Sequence, residues 1–165
     1  LADNISSLYT LRDVLQEQAP LLKMIGFSVK GYVACINSLK EYFRVNMELT
    51  DYNIAKELFR DEWPIHTRTS DSCPAQYTPT ARVNCSIVAN GCFIEGTVVG
   101  SVIGRGVVIK KGALVENSIV LEGSVIGEDV HLKNVVVDKS AVVSKVKELV
   151  SDDSKILYVK RQDRV

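Results

Sequence analysis

The chain has 165 residues, and its 20 lysines and arginines balance its 20 aspartates and glutamates. That balance excludes the basic excess of a typical nucleic-acid binder and the acidic run of a solvating tail. No apolar run approaches the roughly 18 residues of a transmembrane helix, and no signal-peptide pattern precedes the first predicted helix, so the opening at Leu1 reads as internal to a longer polypeptide.

Leu8, Leu11 and Leu15, spaced i, i+3 and i+7, predict an amphipathic helix that Pro20 ends. Phe27–Ile36 (FSVKGYVACI) reads as a strand or strand–turn. Ser38-Leu39-Lys40-Glu41 is a capping box, and it opens a helix whose buried side carries Leu39, Tyr42, Phe43 and Met47. Asp51 caps another short helix running through Phe59. Trp63–Thr67 is expected to be extended, and Ser70–Pro79, with Pro74 and Pro79, reads as a linker. The resulting division is a helix-rich part over 1–69, a linker over 70–82 and a β domain over 83–165 that ends in a strand at Ile156–Val159.

The β domain is built on a repeat. Ser101–Asn117 (SVIGRGVVIKKGALVEN) recurs 17 residues later as Ser118–Asn134 (SIVLEGSVIGEDVHLKN). Large aliphatic residues step by six, six and five, which fits three short strands and three corners per coil. Val88, Ile103, Val120 and Val137 should stack as one inward ladder, and Ile94, Ile109, Ile126 and Val143 as another. Gly91, Gly106, Gly123 and Ser140 share one column at a corner, where the chain must bend. Asn117 lies over Asn134, so like amides should stack, at the ~4.8 Å spacing of paired strands. Ser86–Gly100 is a shorter, 15-residue coil, and Val135–Val143 begins a further one. A sandwich of hairpins is the competing all-β architecture, but the Asn90–Gly91 turn pair it needs falls in the repeat column.

Few residues suggest chemistry. The four cysteines (Cys35, Cys73, Cys85, Cys92) form no C-x-x-C pair and lack ligand spacing to His66 or His131, so reduced thiols, mostly packed as small hydrophobes, are expected and no metal site. His131 has two readings: the base of a coil acyltransferase acting on an acyl-CoA reaction, or a polar corner residue aligned with Leu114. Arg105, Lys110 and Lys111 fall close together on one coil, and Lys160 and Arg161 follow the terminal strand. All five are candidates for binding an anionic effector, with solvated corner charge as the alternative. Gly104-Arg105-Gly106 lacks the following helix that a phosphate loop needs.

The coils resemble the hexapeptide-repeat left-handed parallel β-helix, and the handedness is what that resemblance implies. Gly31–Thr50 (GYVACINSLKEYFRVNMELT), with Gly31, Tyr32, Asn46 and Leu49, resembles the G-Y-W-x-D-V-G-T…N-x-x-L segment that ends the catalytic domain of the glucose-1-phosphate adenylyltransferases. Trp63–Thr67 (WPIHT), Cys73–Gln76 (CPAQ) and Asn117–Val120 (NSIV) are similar to that family's P-I-Y-T strand, P-P-A-K linker and β-helix coils. The resemblance makes 1–69 the tail of a nucleotidyltransferase catalytic domain. It implies a cytoplasmic protein of glycogen synthesis that assembles through its β-helix, as a tetramer with itself or a catalytic paralogue. Cys35, however, stands where the family has its magnesium-binding aspartate, Asn37 replaces a glycine, Val33 a tryptophan and Gln76 the linker lysine. Magnesium prefers carboxylate oxygen to a thiol. The departures imply a regulatory-type, non-catalytic subunit with no catalytic residue, metal or cofactor in this segment; magnesium and ATP would belong to the catalytic partner.

Overall fold

A computed structural model describes residues 11–66, 69, 71–152 and 155–165. The backbone divides into two units, 1–30 and 31–165. The first contains α1 (Leu11–Gln18), the helix predicted from the leucine spacing; Leu8 lies outside the described residues.

Among the described residues, the second unit contains fifteen short strands. The first coil contains β1 (Gln76–Tyr77), β2 (Arg82–Asn84) and β3 (Ile87–Val88), and the second β4 (Phe93–Ile94), β5 (Thr97–Val99) and β6 (Val102–Ile103). The third contains β7 (Val108–Ile109), β8 (Leu114–Glu116) and β9 (Ile119–Val120). The fourth contains β10 (Val125–Ile126), β11 (His131–Lys133) and β12 (Val135–Val137), and the fifth β13 (Val142–Val143), β14 (Glu148–Val150) and β15 (Leu157–Val159). Every third strand pairs in parallel, giving three five-stranded sheets around a prism. This is the stacked, three-sided β-solenoid that the repeat predicts. It begins at Gln76, where β1 pairs with β4, so 76–82 belongs to the first coil and not to the linker.

The interior is made of the expected ladders. Ile94, Ile109, Ile126 and Val143 are in register on the first face and fully buried. Val88, Ile103, Val120, Val137 and Val159 are in register on the third. The second face contributes Val98, Val115, Leu132 and Leu149. Each fully buried aliphatic side chain stabilises by about 1.5–3 kcal/mol relative to leaving it in water, which explains why these positions admit only large aliphatics.

The corners show why the repeat is strict. Between the third and first faces, Gly91, Gly106, Gly123 and Ser140 all have positive φ, and Gln162 (φ 61) extends the column. Between the second and third faces, Cys85, Gly100, Asn117 and Asn134 take the left-handed conformation. There the Asn117 side-chain amide donates to Asn134 Oδ1 at 2.5 Å, and Asn134 donates to the Ser151 carbonyl at 2.6 Å. The next position holds a serine ladder: Ser86, Ser101 and Ser118 each accept the backbone N–H of the following coil at 3.0–3.1 Å. Each also donates to a carbonyl two residues back. The buried hydroxyls of Ser101 and Ser118 are therefore satisfied, as burial requires. The two residues missing from the 15-residue coil come from the corner between the first and second faces. Gly96 hugs the next coil there, and a Cβ at that position would lie 2.4 Å from the Ala113 carbonyl oxygen.

Helix α2 (Leu39–Glu48) lies against the outer side of the third face. Phe43 is buried with Ile119 and Val136, flanked by Tyr42, Met47, Val102, Leu121 and Ile156. The Ser38 cap forms, with Glu41 N–H donating to its Oγ at 3.2 Å, but the Glu41 carboxylate accepts from Arg44, so the capping box is half made. Leu39 is exposed, and Val45 is buried in its stead. Asp51 caps α3 (Tyr52–Leu58) by accepting from Asn53 N–H. Phe27–Ile36 forms no strand: Phe27, Val29, Val33 and Ile36 are exposed, and among the described residues no strand pairs with the segment. Beyond an isolated Arg60–Trp63 bridge, residues 64–66 have no regular structure, and Thr67 lies outside the described residues.

Candidate functional site

The five basic residues do not form one cluster. Hydrogen bonds from Gly106 to Asn90, Gly123 to Arg105, Ser140 to Glu122 and Gln162 to Lys139 stack successive coils at the corner between the third and first faces. Arg105, Glu122, Lys139 and Arg161 therefore occupy one column, with Lys160 beside it at the end of β15. Lys110 and Lys111 lie at the other end of β7, at the corner between the first and second faces. Sequence proximity put Arg105 with Lys110 and Lys111, but a strand of the prism separates them.

The basic column ends beside a hydrogen-bonded pair. Tyr158 Oη donates to Asp138 Oδ2 at 2.5 Å, which holds the carboxyl below its usual range; the Lys139 amide and the charges of Arg161 and Lys139 act in the same direction. The same bond raises the Tyr158 phenol. Burial raises Tyr42, with Asp138 contributing. This corner thus carries fixed charge of both signs.

Concavities lie beside the solenoid at the Gly96 corner and along α2. The short corner at Gly96 borders a cleft of about 480 Å³ lined by Thr80, Glu95, Thr97, Lys111, Glu128 and Asp129. A groove of about 330 Å³ runs between α2 and the asparagine ladder, with an apolar floor of Phe43, Met47 and Ile156 and with Lys40 and Arg44 at its rim. Arg44 pairs with Glu41 at 2.8 Å and also with Glu48. Tyr32 donates to Glu48 at 2.7 Å, and that bond is the main reason the Glu48 carboxyl is lowered. The groove was not visible to sequence reasoning because it depends on where α2 docks. The available signal was the run of aliphatic pairs at Val102–Ile103, Ile119–Val120 and Val136–Val137, whose first members point outward and need a cover.

His131 is not at a corner. It opens β11, in register with Leu114 as expected and with Glu148, and its Nε2 lies 2.8 Å from Glu116 Oε2. Among the described residues no group of three His, Cys, Asp or Glu side chains could hold a metal ion. Cys92 alone of the cysteines is packed as a small hydrophobe, with its thiol raised by burial; Cys35, Cys73 and Cys85 are exposed, against expectation. Cys35 lies in a segment without regular structure. An exposed thiol does not fit magnesium, a hard cation that prefers carboxylate oxygen.

Among the described residues no helix is long and apolar enough to cross a membrane. Comparison with known proteins gives consistent matches. The glycogen biosynthesis protein GlgD of Bacillus subtilis (strain 168) is 34% identical over 84% of the chain, and GlgD of Geobacillus stearothermophilus is 41% identical over 62%. The glucose-1-phosphate adenylyltransferase of Desulforamulus reducens is 31% identical over 74% of the chain. The chain spans 40%, 37% and 28% of these three relatives' own lengths. The family described as GlmU-like, C-terminal hexapeptide matches residues 73–156, which contain almost all of the strands. With three in-register aliphatic ladders beneath that match, the chain belongs to the GlmU-like C-terminal hexapeptide family.

Proposed function

We propose that this chain is the C-terminal part of a regulatory-type glucose-1-phosphate adenylyltransferase subunit, serving glycogen synthesis by assembly and control and not by adenylyl transfer. In this reading a catalytic paralogue, with ATP and magnesium, converts glucose 1-phosphate to ADP-glucose and pyrophosphate. That transfer depends on positioning and on neutralising phosphate charge. The observation that carries the reading is Cys35, an exposed thiol at the position where the resemblance requires a metal-binding carboxylate. Matches to two GlgD proteins alongside an adenylyltransferase support it.

The protein acts in the cytoplasm, and the solenoid joins it to itself or to the paralogue, as a tetramer. Small phosphorylated effectors are met by the basic residues of two corners, Arg105, Lys160 and Arg161 at one and Lys110 and Lys111 at the other. The test is ADP-glucose formation by the full-length protein purified without a catalytic partner. The expected result is no turnover with magnesium, ATP and glucose 1-phosphate; measurable ADP-glucose from the protein alone overturns the reading.

A further inference from the structure

The run 156–165 links parts of the molecule that lie on different faces. Ile156 packs with Tyr42 and Met47 around the buried Phe43, Ile119 and Val136, on the outer side of the third face. Leu157 and Val159 turn inward and join the prism interior. The chain then bends at Gln162, in the left-handed conformation, and runs onto the first face. There Arg164 bridges to Val142, and Val142 N–H donates to the Asp163 carbonyl at 2.8 Å. Ser144 N–H donates to the Val165 carbonyl at 2.7 Å, and Val165 N–H donates to the Val142 carbonyl at 2.9 Å.

Strand β15 needs support from outside its sheet. It is the edge strand of the third sheet, with β12 as its strand neighbour. Elements at an edge and near a terminus open first, because few contacts must break. The tail on the first face supplies one support. Helix α2 supplies another, through Ile156 and through Tyr158, whose hydroxyl donates to Asp138 Oδ2 at 2.5 Å. Asp138 is close enough to Tyr42 of α2 for its charge to act on that phenol. In return, β15 completes the platform beneath the helix: Tyr158 is in register with Val136, which is buried together with Phe43.

We propose that 156–165 is a clasp: the bonds of the tail on the first face hold β15, β15 holds α2, and all of them open and close as one unit. The alternative is a terminal strand that frays alone while α2 stays seated on Ile119 and Val136. The clasp is favoured because Ile156 belongs to the cluster that buries Phe43, so β15 cannot leave without removing part of the helix contact. Glu48, at the end of α2, accepts from Tyr32 at 2.7 Å and carries the connection into the segment before the helix. Such coupling is reciprocal: whatever engages the tail shifts α2, and whatever shifts α2 is felt by the tail. Lys160 and Arg161 lie within the clasp, so on the regulatory reading an effector at these residues acts on α2. The coupling itself stands without that reading.

The test is hydrogen exchange followed by mass spectrometry on the full-length protein with Asp163–Val165 removed. The deleted residues bond to the first face, whereas α2 lies on the third. Loss of these backbone bonds is expected to speed β15 exchange by at least about tenfold, with α2 faster by the same factor. Amides of β7 and β10 are expected to keep their protection. Ile156→Ala is expected to accelerate both elements by about three- to tenfold, the loss of roughly half a buried aliphatic side chain. Ile87→Ala, on β3 at the opposite edge of the same sheet, is expected to leave α2 unchanged. In the truncated protein, β15 accelerating alone, neither element accelerating, or β7 and β10 losing protection with them would each overturn the proposal. Because the readout is exchange, its failure is distinct from failure of the functional reading, which turns on ADP-glucose formation.

Discussion

Replacing Phe43 with alanine should release α2 from the solenoid without unfolding the prism. Phe43 is 8% exposed and packs on Ile119 and Val136, which are at 0% and 1%. Phenylalanine-to-alanine changes in full cores cost about 3–5 kcal/mol. Phe43 sits at a helix-on-sheet contact outside the prism, so the low end, ~3 kcal/mol, applies. At ~1.4 kcal/mol per factor of ten this is roughly a hundredfold shift in the local opening equilibrium of α2. Hydrogen exchange followed by mass spectrometry reads the two parts separately. The α2 amides should exchange about a hundredfold faster in the Phe43→Ala protein, while amides of β7 and β10 keep their protection. Unchanged α2 exchange, or loss of protection throughout the prism, would refute a helix that docks on an independently stable solenoid.

Three further outcomes follow from the packing. Ile126→Ala removes a fully buried rung between Ile109 and Val143 and should cost about 2–5 kcal/mol, read as a lowered midpoint in denaturant; a cost under ~1 kcal/mol contradicts the ladder. Gly96→Ala should destabilise more than Gly106→Ala, because its Cβ meets backbone oxygen at 2.4 Å whereas Gly106 has open space and only a positive φ to strain; the reverse order of melting temperatures refutes the tight corner. Tyr158→Phe removes the hydroxyl that lowers Asp138, whose contribution is present above the ordinary aspartate pKa of about 3.9 and is lost as pH falls through the lower folded value. Wild type should therefore melt above the variant at pH 6 and lose that lead in strong acid, and a lead that persists there counts against the assignment.

The parts legible in the sequence were those that repetition constrains. Inward positions such as Ile109 and Leu132 accept only large aliphatics, and corner positions such as Gly106 and Asn117 need a left-handed backbone, so both recur at fixed spacing. Gln162 completes a corner column that composition could not reveal, because its conformation is imposed by the coil beneath it. The docking of α2 was less visible for a physical reason. Outward aliphatics occur on the first face as Val108, Val125 and Val142 as well as on the third, and sequence does not say which face receives a helix. Phe27–Ile36 has strand-forming residues without a partner strand, and propensity alone does not make a sheet. The basic residues misled through proximity: two strand residues between Arg105 and Lys110 are enough to move the chain to the next corner of the triangle.

The regulatory reading is tested most directly by the rate of ADP-glucose formation by the proposed catalytic paralogue across a range of phosphorylated effector, with and without the full-length protein. The expected result is no turnover from this protein alone and a shifted half-saturating effector concentration when it is added. Turnover of its own, or a partner whose rate and effector response are unchanged by it, would contradict the claim.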